Sequence, residues 1–241
     1  MNIFKHLRSD WFRYGFETLA VIVGILIAFA LESWADTQKV RKEEHEILVN
    51  LHNDLQDAKQ QSIASIDTEL KSKDNLLLAL NQNSNADTLP RGFYSDSIFY
   101  ELIWNLEMEV PVIYSYSDIK TTGKTGLITN EQIRRRFTNL EMSVTNLSNQ
   151  VDDRLRVQQL RIDEVLVNDL NFVRMVSTVI PEIGNDNEPE NNYQLFLKNQ
   201  KIRNIIAVKL TLTHEVISYR KALDAEIESL IAMLDEEIED F

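Results

Sequence analysis

The chain has 241 residues, a formal net charge of −13 and no cysteine. Without cysteine there are no disulfides and no thiolate metal sites, and the acidic balance excludes nucleic acid as a partner, because a polyanion is repelled along most of such a surface. The excess charge lies in residues 36–241, since Lys5, Arg8 and Arg13 cancel Asp10, Glu17 and Glu32.

Residues 1–15 read as a short, net positive tail, followed by the uncharged apolar run Leu19–Leu31. That run alone falls short of the roughly 20 residues that cross a ~30 Å hydrocarbon core. Extension over 16–35 supplies the length. Glu17 and Glu32 then lie near the ends, where carboxylates reach headgroup water, and Trp11, Tyr14 and Trp34 serve as membrane-interface anchors. A transmembrane helix over 16–35 is therefore expected, with the lipid bilayer as its first partner. A cleaved signal peptide is the rival reading, with Lys5, Arg8 and Arg13 as its basic region and Ser33-Trp34-Ala35 as a loose cleavage site. Acidic Asp10 and Glu17 and the bulky aromatics ahead of the run argue against it.

Basic residues balance across the span, Lys5, Arg8 and Arg13 against Lys39, Arg41 and Lys42. The acidic Asp36, Glu43, Glu44 and Glu46 among the second group favour a cytoplasmic N-terminus with the large domain outside. Within the span, Glu17, Gly24, Ala28 and Ala35 fall within about 20° of one line at 100° per residue. Ala20, Gly24 and Ala28 form a small-residue face that lets a second helix approach closely, so a homo-oligomer through this face is expected; the alternative is an anchor whose small residues are incidental. Arg13 and Glu17 are an intramembrane charge pair at four-residue spacing that sets helix depth. In the competing reading, Glu17 is a proton- or ion-handling carboxylate.

Six glycines and four prolines cluster between long segments with helical period. A first helix over about 36–82 continues the span through Val40, Ile47, Leu51, Leu55, Ala58, Ile66, Leu70, Leu77 and Leu80, reaching roughly 70 Å outward at 1.5 Å per residue. The link at 83–128 is rich in aromatics, including Phe93, Phe99, Trp104 and Tyr116. It reads as a folded side element with short helices at 97–108 and 116–122, and 81–87 as an exposed turn. A second helix at 129–176 opens on the heptad steps Ile133, Phe137, Leu140, Val144, Leu147 and Val151, behind a capping box at Thr129–Gln132. A third, at 191–239, begins with Asn191 and Gln194 at cap spacing after an exposed turn at 181–192. The fold class is all-α: one N-terminal transmembrane helix continuous with a long helix, then an elongated antiparallel bundle or coiled coil.

Chemistry-bearing motifs are weak. Gly123-Lys124-Thr125 resembles the end of a phosphate loop, but Asp118 stands where the loop's first glycine belongs and no strand precedes it. Gly123 reads instead as a left-handed helix stop. His45 and His52 lie two turns apart, too far to chelate one ion, and no Glu-x-x-His pair accompanies them. The Arg134–Arg136 triplet and the acidic run Asp235–Asp240 read as solvated faces. No catalytic residue, cofactor or metal is expected.

Phe16-Glu17, Leu19, Val21, Val23-Gly24-Ile25-Leu26-Ile27-Ala28 and Trp34, with the charged 39–46 stretch and Asp54-Leu55, carry a resemblance. A second block is Tyr116, Ile119-Lys120, Gly123, Leu127-Ile128 and Asn130. The chain resembles a family of bacterial inner-membrane proteins that begin with one span and continue as a helical domain. The resemblance implies an inner-membrane location and no enzymatic activity; the charge balance above places the domain in the periplasm. The resulting expectation is a non-enzymatic, membrane-anchored scaffold or sensor that meets a further protein partner; the alternative is a subunit of an ion-coupled or channel-like assembly using Glu17.

Overall fold

The computed structural model describes residues 3–81 and 89–241, with residues 3–14 as backbone only. The turn expected at 81–87 falls almost wholly outside the described residues. Helix α1 (Ile3–Asn81) is a single rod, roughly 120 Å long at 1.5 Å per residue. No proline interrupts its sequence. The expected span and first long helix are thus one element.

Two further long helices complete a bundle. Helix α4 (Glu131–Val157) starts at Asn130, whose side chain accepts from the Gln132 and Ile133 N–H groups; α8 (Gln200–Glu239) starts at Asn199, which accepts from Lys201 N–H at 2.9 Å. Lys59 pairs with Glu228, and Arg203 donates to the Leu80 carbonyl, so α8 is antiparallel to α1. Gln150 meets Glu215, making α8 antiparallel to α4 as well. Helices α1 and α4 therefore run in parallel, with Glu44 against Thr129 near one end and Glu69 against Arg154 further along.

Between α1 and α4 lie α2 (Asp96–Phe99), which widens into a π turn at Tyr100–Trp104, an extended stretch, and α3 (Tyr114–Thr121). Gly123 follows at φ +71° in the left-handed region that favours glycine, as expected of the helix stop. After α4 come a π turn at Gln158–Ile162, α5 (Asp163–Asp169), α6 (Phe172–Ser177) and α7 (Tyr193–Phe196).

The buried faces keep alternating four-three steps along all three long helices. On α1 they are Glu44, Leu48, Leu51, Leu55, Ala58, Ser62, Ser65 and Glu69, resuming at Leu76 and Ala79; on α4 they run from Ile133 to Arg154. On α8 the row starts at Ile202 and Ile206, passes Lys209, Thr213, Val216 and Arg220, and ends at Leu234. Two apolar cores result. One gathers Leu51, Leu55, Phe137, Leu223, Ile227 and Leu230, with Tyr116 stacked on Phe137 at 4.9 Å. The other gathers Leu76, Phe99, Leu102, Leu166, Met175 and Ile206, with Tyr193 stacked on Phe99 at 3.8 Å.

Several sequence expectations shift. The 129–176 helix is interrupted: the π turn inserts a residue that lets both Gln158 and Ile162 face inward, and Leu170 is extended before α6. The 191–239 helix is two elements, because Asn199 caps a fresh start. Asn192, not Asn191, caps α7; Asn191 is spent on Asp96 and Asn171, which ties the 181–192 segment down instead of leaving it free. In the capping box, Asn130 caps while the Thr129 hydroxyl donates to Glu44 at 2.7 Å. The helix expected over 97–108 gives way at Asn105 to an extended strand whose carbonyls are engaged elsewhere.

Candidate functional site

A layer of buried charge separates the two cores. Glu69 of α1, Arg154 of α4 and Arg220 of α8 are 1%, 2% and 1% exposed. Arg154 grips Glu69 with both terminal nitrogens, at 2.7 and 2.8 Å, and Arg220 Nε lies 3.4 Å from the same carboxylate. One carboxylate thus faces two guanidiniums, and backbone carbonyls satisfy much of the remainder. In extended chain, alternate carbonyls point the same way. Arg220 donates to Glu109 O at 2.7 Å, both arginines donate to Glu107 O, and Lys209 donates to Asn105 O at 3.0 Å and to Ile103 O at 2.7 Å, at the end of the π turn. The end of the π turn and the irregular segment 105–109 after it are therefore held across the bundle by three buried cations.

Lys209 has no carboxylate within ion-pair distance among the described residues. Burial, reinforced by the neighbouring Arg154 charge, pulls its ammonium down to about 7 against the opposing pull of Asp163, Glu69 and Glu101. Burial likewise pulls the Arg220 guanidinium down, while Glu69 and Glu107 support its charge. Removing one partner of such a group leaves an uncompensated ion, which costs about 3–5 kcal/mol; replacing all partners by apolar residues is often neutral or stabilising. The chemistry of this layer is that of a register pin, fixing α1 axially against α4 and α8.

A second polar cluster closes the far end. Burial pushes the Asp96 carboxyl up, but donation from Tyr193, Asn191 and Arg174 outweighs it and holds the group below its usual value. The Tyr193 phenol is pushed up by burial and by the Asp96 charge.

The residues singled out in the span are placed differently. Ala20, Gly24, Ala28, Glu17 and Trp34 all lie on exposed stretches of α1, and among the described residues nothing beyond the helix's own neighbouring turns approaches within 4 Å of a Cβ built at Gly24. The side chains of Trp11, Arg13 and Tyr14 lie outside those described. His52 pairs with Asp235 at 2.9 Å and His45 packs on Phe241, so the two histidines have separate partners. The arginine triplet is used within the fold: Arg134 donates to the Ile128 and Thr129 carbonyls, Arg135 pairs with Glu131 and Arg136 with Glu226. Lys124 pairs with Glu43 at 2.7 Å, and its hydrogen bond holds that carboxyl below the usual value.

Sequence reading missed Glu69, Arg154, Lys209 and Arg220. The signal was present, since the four-three steps pass through these positions without a break. Tracking apolar residues alone slid off the α1 seam onto Ile66 and Leu70, which are only half-buried. No protein-family model, curated protein or solved structure matches this chain.

Proposed function

We propose that this chain is a non-enzymatic helical scaffold anchored in the bacterial inner membrane, with the N-terminus cytoplasmic and the domain periplasmic, self-associating through Ala20, Gly24 and Ala28. One observation carries the reading. Helix α1 is long and apolar enough to cross a membrane, and its apolar window is wholly uncovered by the other described residues. Such a surface requires lipid, a second helix or both. Because α1 continues without a break into the bundle, where Glu69 pins it, the span and the domain move as one body. A partner span meeting the small-residue face would thereby set the spacing of two domains outside the membrane. The resemblance to single-span bacterial proteins supports the same location.

The absence of native cysteine gives a clean test. Single substitutions Ala20→Cys and Ala28→Cys are expected to form disulfide dimers on oxidation in membranes. Ile22→Cys and Leu26→Cys, on the opposite face, are not. Equal cross-linking from both faces, or none from either, contradicts self-association through the stripe.

A further inference from the structure

Where α1 leaves the span its side chains are still exposed. Between it and the end of α8 lies an open cleft of about 860 Å³, with Phe29 and Val40 on its α1 wall and Phe241 opposite. Phe29 belongs to the apolar run itself, so the floor of the cleft is continuous with the surface that faces lipid acyl chains. Its polar lining is unbalanced. Glu32, Asp36 and Asp240 all contribute, against a single cation, Arg41. Arg41 is occupied, donating to the Asp240 backbone carbonyl at 3.2 Å with its guanidinium 5.2 Å from the centre of the Phe241 ring. Glu44 and Glu237, also in the lining, are taken by Thr129 and Asn130. The carboxylates of Glu32, Asp36 and Asp240 form no hydrogen bond or ion pair with any described residue. Glu32 and Asp36 are also like charges four apart on one helix, an arrangement that opposes helix formation unless a cation joins them.

The cleft and the small-residue stripe do not compete. At 100° per residue Phe29, Ser33, Asp36 and Val40 lie roughly 120–180° round α1 from Gly24, and Glu32 about 80° round, at the edge of the stripe. A second span can occupy one face while the cleft stays open on the other.

We propose that this cleft seats a phospholipid whose headgroup carries a primary ammonium, with the ammonium among Glu32, Asp36 and Asp240 and the acyl chains descending past Phe29 into the bilayer. Charge selects the headgroup: an anionic lipid is repelled, and a trimethylated ammonium has no N–H to donate to the carboxylates. The apolar floor selects a lipid over a free amine. The proposal rests on the membrane-anchored reading above.

The full chain reconstituted in vesicles containing equal phosphatidylethanolamine, phosphatidylcholine and phosphatidylglycerol, then extracted gently and weighed by native mass spectrometry, tests it. The expected result is retained phosphatidylethanolamine in preference to the other two. Retention should fall roughly tenfold in Asp36→Asn/Asp240→Asn, from lost charge-assisted hydrogen bonds, and in Val40→Trp, which fills the cleft. Circular dichroism of each variant confirms that the bundle is intact. Equal retention of the three lipids, preference for phosphatidylglycerol, no retained lipid, or retention unchanged in both variants overturns the lipid site while leaving the anchor standing. A chain that fails to float with the vesicles at all overturns both.

Discussion

From Gly15 to Lys42 helix α1 is exposed on every side, whereas from Glu44 to Ala79 it buries residues in steps of three and four. Backbone and helical conformation are the same in both halves. The difference lies in what covers them. The outer half finds its cover within the chain, from α4 and α8. The first half has none among the described residues, and its apolar surface is the one the proposed reading gives to lipid or another copy. The halves also treat charge in opposite ways. The bundle encloses Glu69 between two arginines drawn from distant helices, while the span confines its carboxylates to its ends, where they reach water.

The comparison breaks most sharply at Glu69. Glu69→Ala leaves Arg154 buried without a carboxylate partner and Arg220 with only Glu107 at 3.9 Å, and denaturant unfolding of the detergent-solubilised chain should show a loss of about 3–5 kcal/mol, with the membrane-bound fraction unchanged. The concerted Glu69→Leu/Arg154→Met/Arg220→Met replacement should instead be neutral or gain about 1–4 kcal/mol. Hydrogen exchange along residues 105–109 should nevertheless speed up in that variant, because Arg154 and Arg220, two of the three cations that hold the segment, are gone and only Lys209 remains. Protection equal to wild type would show that the layer does not hold the strand.

Leu26→Arg acts on the other half. An arginine at mid-span opposes insertion by about 2.5–3.5 kcal/mol, so the membrane-bound fraction should fall on fractionation while the unfolding midpoint of the bundle stays put. A matching loss of bundle stability would mean that the two halves are not separately covered.

A smaller effect is expected from Lys209. Its proton is held at about 7 when folded against an ordinary lysine value of 10.5. Between those limits the unfolded chain binds a proton that the folded chain does not, so stability should rise with pH across the window and lose that slope below about 7. Lys209→Met should flatten the slope. Smallest of all is Glu17→Gln, which should leave oligomer size and membrane-bound fraction unchanged; a collapse of either would favour an ion-coupled role for the span carboxylate.

Local signals made much of this legible. The left-handed Gly123 and the apolar seam from Ile133 to Val151 depend on neighbours a few residues away, and the structure has them where spacing puts them; the α4 start is one residue off, with Asn130 capping because Thr129 is drawn to Glu44. A helix long and apolar enough to cross a membrane was equally plain from composition. The buried charge layer was not, because Glu69 and Arg154 are 85 residues apart and Glu69 and Arg220 are 151 apart. No property of any one helix announces that a glutamate will be neutralised from two others. The π turn at Tyr100–Trp104 and the extended strand after it share this cause, since the strand is held by side chains on α4 and α8. The membrane-boundary cleft likewise needs both ends of the chain, Phe29 and Phe241, brought together.

The most direct test of an externally covered span is the native mass of the full chain in mild detergent, compared with that of Gly24→Leu/Ala28→Leu. Two leucines keep the span apolar and helical but stop a second helix from approaching closely. An oligomer in the wild type and a monomer in the variant, with the bundle still folded, is the expected result. An identical mass for both would contradict self-association through this face.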